Sequence, residues 1–332
     1  MIWDSLLLWI LAMYRTVTCE LVLSILVVTL EVTHVEGAFQ PGSREMIRSD
    51  NGVFDTPANW LTRRGFGYGL AGLVGGSSNS ARAADLPLGV QAESLSLQSG
   101  LLESRVSENL LSPPPYGLEG PDVYYPSWLS GTWKVASICT EVVAPCGITL
   151  FGGNSTYQAA LKEVGSTLSY ESRFIPLGDT TIADREFNVR SIVKAAMGAN
   201  SVVDIILASP NKFSCILAPS GSSSLLKVDL ITLLRRQENI DANHFDCSEV
   251  VREIVAPVGQ SGPPVNSASI LKEVETTSLY SYDPAKNTVR CRQRSAVFLL
   301  PSQQNPMAMK MFEYSRGRPI DVRFFDVAYT KR

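Results

Sequence analysis

Two histidines, His34 and His244, are all the imidazole this chain of 332 residues offers. If His34 leaves with an N-terminal leader, one remains. A zinc site with several histidine ligands is then excluded, and any Ser-His-Asp arrangement must run through His244. His244 sits in the loop-like stretch "DANHFDC", with no Gly-x-Ser-x-Gly turn, and reads as a surface or capping residue. Five cysteines follow the leader: Cys139, Cys146, Cys215, Cys247 and Cys291. Their spacing matches no zinc or CxxC redox motif. In an oxidising compartment the short loop between Cys139 and Cys146 could close a disulfide, and the odd number leaves at least one thiol free or paired elsewhere.

The carboxylates with the most chemical interest lie in the hairpin of residues 271–300. With its turn near Ala285, Arg290, Arg292 and Arg294 share a face opposite Tyr280, Ser278 and Thr276. The arginines are expected to point outward as a solvated stripe. Glu273 and Glu275 then look into the apolar interior, where a carboxylate needs a partner, a ligand or a raised pKa. Arg185 of "ADREFN" is the proposed partner, as a structural tie or, in the catalytic alternative, as an acid/base pair with Glu275. "MAMKM" reads as a strand that puts Met307, Met309 and Met311 on one face, as core filling or as an adaptable cavity wall.

These residues need a scaffold, and the pattern supplies mostly strands. "GTWKVASIC", "STLSYESRFIPL", "SLLKVDLITLLRR", "TVRCRQRSAVFLL" and "DVRFFDVAYTKR" are β-rich and bounded by Gly, Pro, Asn or Ser clusters. Two short helices interrupt them, one after Ala183 and one over Asp246 to Val255. The fold class is mainly β: an antiparallel up-and-down barrel with one or two short helices, or else a sandwich. With a net charge of −3 and the arginines not gathered in a tail, nothing predicts a nucleic-acid partner, and none is expected. No metal site and no cofactor is implied.

The N-terminal part reads as a series of addresses. Leu21 to Leu30 has the length of a signal-peptide core and falls short of the roughly 20 apolar residues a spanning helix needs, although Leu6 to Ile10 leaves an uncleaved anchor open. Ala38-Phe39 followed by Pro41 resembles the cleavage junction of plastid leaders in algae with secondary plastids, such as heterokonts. Thr62-Arg63-Arg64-Gly65-Phe66, a Gly-rich run to Gly76, and Ala81-Arg82-Ala83 resemble a twin-arginine signal with its small-residue cleavage site. The organisation follows: 1–38 signal peptide, 39–61 transit peptide, 62–83 lumen-targeting signal, 84–121 a mobile or loosely docked arm, and 122–332 the folded domain. The expected location is the thylakoid lumen of a heterokont-type plastid, with no mature transmembrane segment.

Gly131-Thr132-Trp133 on the first strand resembles the Gly-x-Trp signature of lipocalin-like (calycin) proteins. That likeness implies that Trp133 closes one end of a barrel against a cation of the last strand, Arg323, Lys331 or Arg332. "YYPSWLSGTWKVAS", "ADREFN" and "EVETT" resemble an uncharacterised cyanobacterial and plastid family, which brings no activity with it. The expected function is to bind an apolar or amphiphilic molecule (pigment, lipid, quinone or tetrapyrrole), with Trp133, Glu273, Glu275, Met307, Met309 and Met311 facing it. The alternatives are an assembly factor acting on a thylakoid protein complex, and a lipid or carotenoid isomerase or de-epoxidase. The leader reading predicts that precursor accumulates outside the lumen when the transthylakoid proton gradient is collapsed. Import assays with isolated plastids check this, and import insensitive to the gradient removes the lumen assignment.

Overall fold

Strands dominate because β-branched and aromatic residues alternate with polar ones along most of the chain, a period of two that buries one face of a sheet. The computed structural model describes residues 100–218, 225–258, 270–301 and 306–332. The leader 1–83 and the arm as far as residue 99 lie outside the described residues.

Ten strands form one antiparallel sheet: β1 (Gly131–Val143), β2 (Thr167–Leu177), β3 (Thr180–Ala183), β4 (Val202–Ser209), β5 (Lys212–Leu217), β6 (Leu225–Asn239), β7 (His244–Val258), β8 (Ile270–Asp283), β9 (Thr288–Leu299) and β10 (Asp321–Lys331). Their order is β3-β2-β1-β10-β9-β8-β7-β6-β5-β4. The chain meanders up and down, and β10 returns to pair with β1 along Trp133↔Lys331 to Val143↔Val322. The sheet curls into a half-barrel, in agreement with the lipocalin-like expectation.

Four helices occur among the described residues: α1 (Leu101–Ser107), α2 (Asn154–Leu161), α3 (Arg185–Met197) and α4 (Pro306–Ser315). The helix expected after Ala183 is α3, where the Asp184 carboxylate caps the Phe187 N–H at 3.2 Å. Two expectations need correction. Asp246 to Val255 is the middle of strand β7, because "CSEVV" satisfies strand and helix patterns alike and pairing on both sides decides for the strand. "MAMKM" lies in α4, started by Pro306 at its first position and continued by strong helix formers. Met307 is 62% exposed, so this run is not a wall of the barrel interior.

The inner face carries the main core, which runs from Trp133, Val135 and Cys139 through Phe325, Val327 and Tyr329 to Cys291, Tyr280 and Phe245. Trp133 is fully buried, and its indole N–H donates to the Leu129 carbonyl at 2.6 Å. Lys331 lies over its ring at 4.2 Å and bonds the Ser130 carbonyl, so the cation of the last strand is Lys331. Arg332 pairs instead with Glu171, and Arg323 with Glu163. Gly131 adopts φ 103°, a conformation L side chains rarely take, and a Cβ there would also displace the Lys331 ammonium, 2.9 Å away. Burial lowers the Lys331 pKa.

Two devices finish the sheet where it does not close. The first is α3, which packs on β2 and β4. Asn188 accepts from the Arg173 N–H at 2.6 Å and donates to its carbonyl at 3.1 Å, while Ser191 accepts from the Glu171 N–H at 2.9 Å. These side chains pair backbone groups of β2 beyond the reach of short β3. The second is the segment before β1. It bonds the edge of β6 through Glu119 N–H to Arg235 C=O (3.0 Å) and Arg235 N–H to Gly117 C=O (2.9 Å). It then exchanges two bonds between Tyr125 and Thr181 of β3, at 2.7 and 3.1 Å.

Replacing Trp133 by alanine is expected to cost about 3–5 kcal/mol in chemical denaturation, the range for deleting a large buried aromatic. Lys331→Met should cost less, about 0.5–2 kcal/mol, the contribution of a cation over an indole face.

Candidate functional site

The inner face is not uniformly apolar. One row across five strands is entirely polar: Arg323 of β10 stands opposite Ser295 of β9, then Thr276 of β8, Glu249 of β7 and Arg235 of β6. The row above it carries Phe325, Gln293, Ser278 and Cys247, and the one below carries Val297, Val274 and Val251. Strand register makes this belt, since Arg323, Ser295, Thr276 and Glu249 each lie two positions along from a core neighbour.

Each end of the row is a charge network. At the β6 end, Glu249 accepts from Arg235 at 2.7 and 2.9 Å and from Arg185 at 3.1 and 3.3 Å. Arg185 also holds Asp122 of the crossing segment at 2.5 Å. Burial pushes the Glu249 carboxyl up, but the two guanidiniums outweigh it and keep the acid below its ordinary range. A carboxylate clamped in this way is a poor proton acceptor, so the cluster is built to hold rather than to transfer protons. At the β10 end, Arg323 binds Glu163 at 2.6 Å and Asp321 at 3.0 Å and stacks near Phe151. Burial raises the Glu163 pKa despite Arg323, and nearby Asp321 adds to the rise.

Between these ends lie polar atoms without partners among the described residues. Ser295 Oγ and Gln293 Oε1 are buried at 2% and 3% exposure, two residues apart on one face of β9, and neither has a hydrogen bond. Arg185 Nε, at the neighbouring network, has none either. A buried polar atom left unpaired costs about 1–3 kcal/mol, so such a group calls for a bonding partner.

The expected Glu275–Arg185 pair is not formed. The β8–β9 hairpin pairs Thr277↔Arg294, Leu279↔Arg292 and Ser281↔Arg290, one residue away from the expected register. That slip puts Glu273 and Glu275 on the outer face with the arginines. Arg290 and Arg292 are exposed there as expected. Glu273 forms a half-exposed pair with Arg252 at 2.7 Å. Glu275 is fully buried on that outer face, because the segment from Gly100 onward covers it. Arg105 of α1 bonds it through two nitrogens, and Arg294 adds a third bond at 3.0 Å. Tyr116 bonds Ser248, whose hydroxyl reaches Thr277 at 2.9 Å. Leu102, Val106 and Tyr116 pack with Leu279. The described part of the expected arm is thus docked on the sheet.

Cys139 and Cys146 are separate thiols rather than a disulfide. Cys139 faces the core, and burial pushes its pKa up to about 11. Cys146 points away toward the carbonyls of Ser315 and Pro319. Among the described residues no group of three or more His, Cys, Asp or Glu is placed to hold a metal ion. None of the described helices is long and apolar enough to cross a membrane. The polar row was hidden in the sequence because its members come from separate strands. Its one local signal was "ADREFN", which does deliver Arg185.

The docked arm also carries a titrating contact. Asp246, buried on the outer face, has its pKa pushed up to about 7 by burial and by Glu103 of α1 and Glu238 of β6, with His244 partly opposing. Glu238 meanwhile accepts from the Gly100 N–H at 2.9 Å, holding the start of α1. A folded-state pKa above the ordinary carboxylate value means that the folded protein binds the proton more tightly. Stability therefore falls as pH rises from about 4 to about 7 and is then flat. Urea titrations across that range should show the fall, and Asp246→Asn should reduce it, leaving the contribution of Glu163.

The profile of one family, described as a domain of unknown function (DUF6816), matches residues 117–332. No curated protein and no solved structure matches the chain.

Proposed function

The chain belongs to the DUF6816 family, a membership that brings no activity with it, and we propose that it is a binding protein for an amphiphilic small molecule in the thylakoid lumen. The observation that carries this reading is the pair Ser295 Oγ and Gln293 Oε1, buried side by side without partners on the inner face. A ligand hydroxyl or amide N–H donates to Gln293 Oε1, a ligand carbonyl or hydroxyl oxygen accepts from the Ser295 hydroxyl, and the neighbouring aromatic and aliphatic rows suit an apolar body. Quinone, pigment, lipid and tetrapyrrole chemistries all combine such a polar head with an apolar remainder. The leader supports the location: a signal core, an Ala38-Phe39 junction and a twin-arginine stretch in that order direct a chain inward across successive membranes. The twin-arginine route accepts folded cargo, so the domain is able to load its ligand before the last crossing. The "YYPSWLSGTW" opening fits the cyanobacterial and plastid ancestry of such a protein.

A second reading, docking to a protein complex, is favoured by β4. This strand ends the sheet and leaves Val203, Ile206 and Leu207 at 53%, 55% and 46% exposure. Although β4 is irregular near both ends, exposed apolar side chains on an end strand are a surface that soluble proteins otherwise avoid.

The test is extraction and mass spectrometry of the protein purified from plastid-bearing cells, alongside the Ser295→Ala variant. Binding predicts a co-purifying amphiphile at near-equimolar amount that Ser295→Ala reduces. A ligand-free protein that Ser295→Ala stabilises, by about 1–3 kcal/mol on relief of an unpaired hydroxyl, overturns the proposal.

A further inference from the structure

The outer face of the sheet carries a second constellation, at the β6–β7 turn and remote from the inner polar row. His244 opens β7, and its Nδ1 lies 2.8 and 2.9 Å from the two carboxylate oxygens of Asp241. Its other nitrogen, Nε2, lies 3.2 Å from Ser281 Oγ on β8. Directly across β9 from Ser281, on the same face, stands exposed Arg290. Carboxylate, imidazole, hydroxyl and guanidinium thus follow one another in a line, open to solvent.

The fold explains why they meet. The Tyr282 N–H bonds the Asn243 carbonyl at 2.8 Å, so the next pair in the ladder, His244↔Ser281, is the non-hydrogen-bonded kind whose Cα atoms approach to about 4.5 Å. The turn that presents Asp241 is held from several sides. Its carboxylate accepts from the N–H groups of Asn243 at 2.7 Å and His244 at 2.9 Å. Trp128 donates to the Ala242 carbonyl at 3.1 Å and stacks flat on Tyr282, 5.2 Å between centroids. These bonds hold the Asp241 carboxyl below its ordinary range, the Asn243 N–H first and the imidazole second.

We propose that Asp241, His244, Ser281 and Arg290 form an acyl-transfer site that hydrolyses short, unhindered carboxylic esters. The arrangement is recognised by roles and geometry, which recur on unrelated folds without a shared sequence motif. Ser281 Oγ attacks the ester carbon and its proton passes to His244 Nε2. Asp241 orients the ring through Nδ1–H and stabilises the resulting imidazolium. Arg290 supplies the positive charge beside the developing oxyanion. The tetrahedral adduct collapses, the alcohol leaves with the proton from His244, and the acyl group remains on Ser281. Water then attacks that ester, again giving its proton to His244, and releases the acid with Ser281 restored. Small substrates are implied because the site is an exposed face with no enclosing walls.

The experiment treats the full chain with a fluorophosphonate probe and follows p-nitrophenyl acetate hydrolysis in parallel. Labelling is expected at Ser281, read by peptide mass spectrometry, and absent in Ser281→Ala. His244→Gln should slow labelling by about 100-fold or more, the contribution of a positioned general base. Arg290→Gln should slow it by about 10-fold or more. Asp241→Asn, which alters a positioning residue, should move the half-maximal pH of labelling downward, an effect that turn capping alone would not give. Thermal midpoints of the variants, all at exposed positions, show that they remain folded. Absence of Ser281 labelling, labelling indifferent to His244→Gln, or ester hydrolysis that survives Ser281→Ala each overturns the proposal.

Discussion

Backbone N–H and C=O groups along an open sheet edge must find partners, and in this protein the answer to that demand organises everything else. Ten antiparallel strands curl but do not close, leaving β3 and β4 as the two ends. Helix α3 supplies Asn188 and Ser191 to the exposed stretch of β2, and the segment before β1 bonds to β6 and β3 in turn. Covering an edge in this way removes a template for aggregation and completes a core that a half-barrel alone would leave open. The same two elements deliver Arg185 to Glu249 and Asp122 to Arg185. The inner charge network therefore exists because the seam had to be covered.

The outer network obeys the opposite logic. Glu275, Arg105 and Arg294 are buried on the convex side, where a sheet of this kind normally meets water. They are dry because the α1 segment lies over them. A buried ion pair of this sort adds little net stability against an apolar replacement, whereas losing one partner strands a charge and is severe. Its effect is specificity: the segment docks in one register, with Tyr116, Leu102 and Val106 filling the space around the ions. Both faces keep unused polar capacity among the described residues: Arg105 Nη1 in the outer network, and Ser295 Oγ and Gln293 Oε1 on the inner face, have no hydrogen bond.

Much of the architecture was legible in the residues. Strand periodicity and the helix after Ala183 follow from local pattern, whereas the contact of Trp133 with a cation of the last strand was implied by the likeness to Gly-x-Trp barrels. The failures are equally local in origin. The β8–β9 turn reads one residue off, and because side chains alternate, that single step moved Glu273 and Glu275 from inside to outside. Strand β8 gave no warning, since both of its faces are covered and its burial hardly alternates. "MAMKM" fits either a strand face or a helix, and the proline before it, not the methionines, was the informative residue.

By itself the sequence determined the class of fold and the absence of any spacing suited to zinc or CxxC chemistry, because these depend on residues close together in the chain. Only the tertiary structure decided which polar groups meet. The row from Arg323 to Arg235 draws one residue from each of five strands, and Asp241, His244, Ser281 and Arg290 come from three strands and a turn. Such neighbourhoods are set by cross-strand register, a long-range quantity fixed by the summed pairing of the whole sheet and not by the identity of any residue within it.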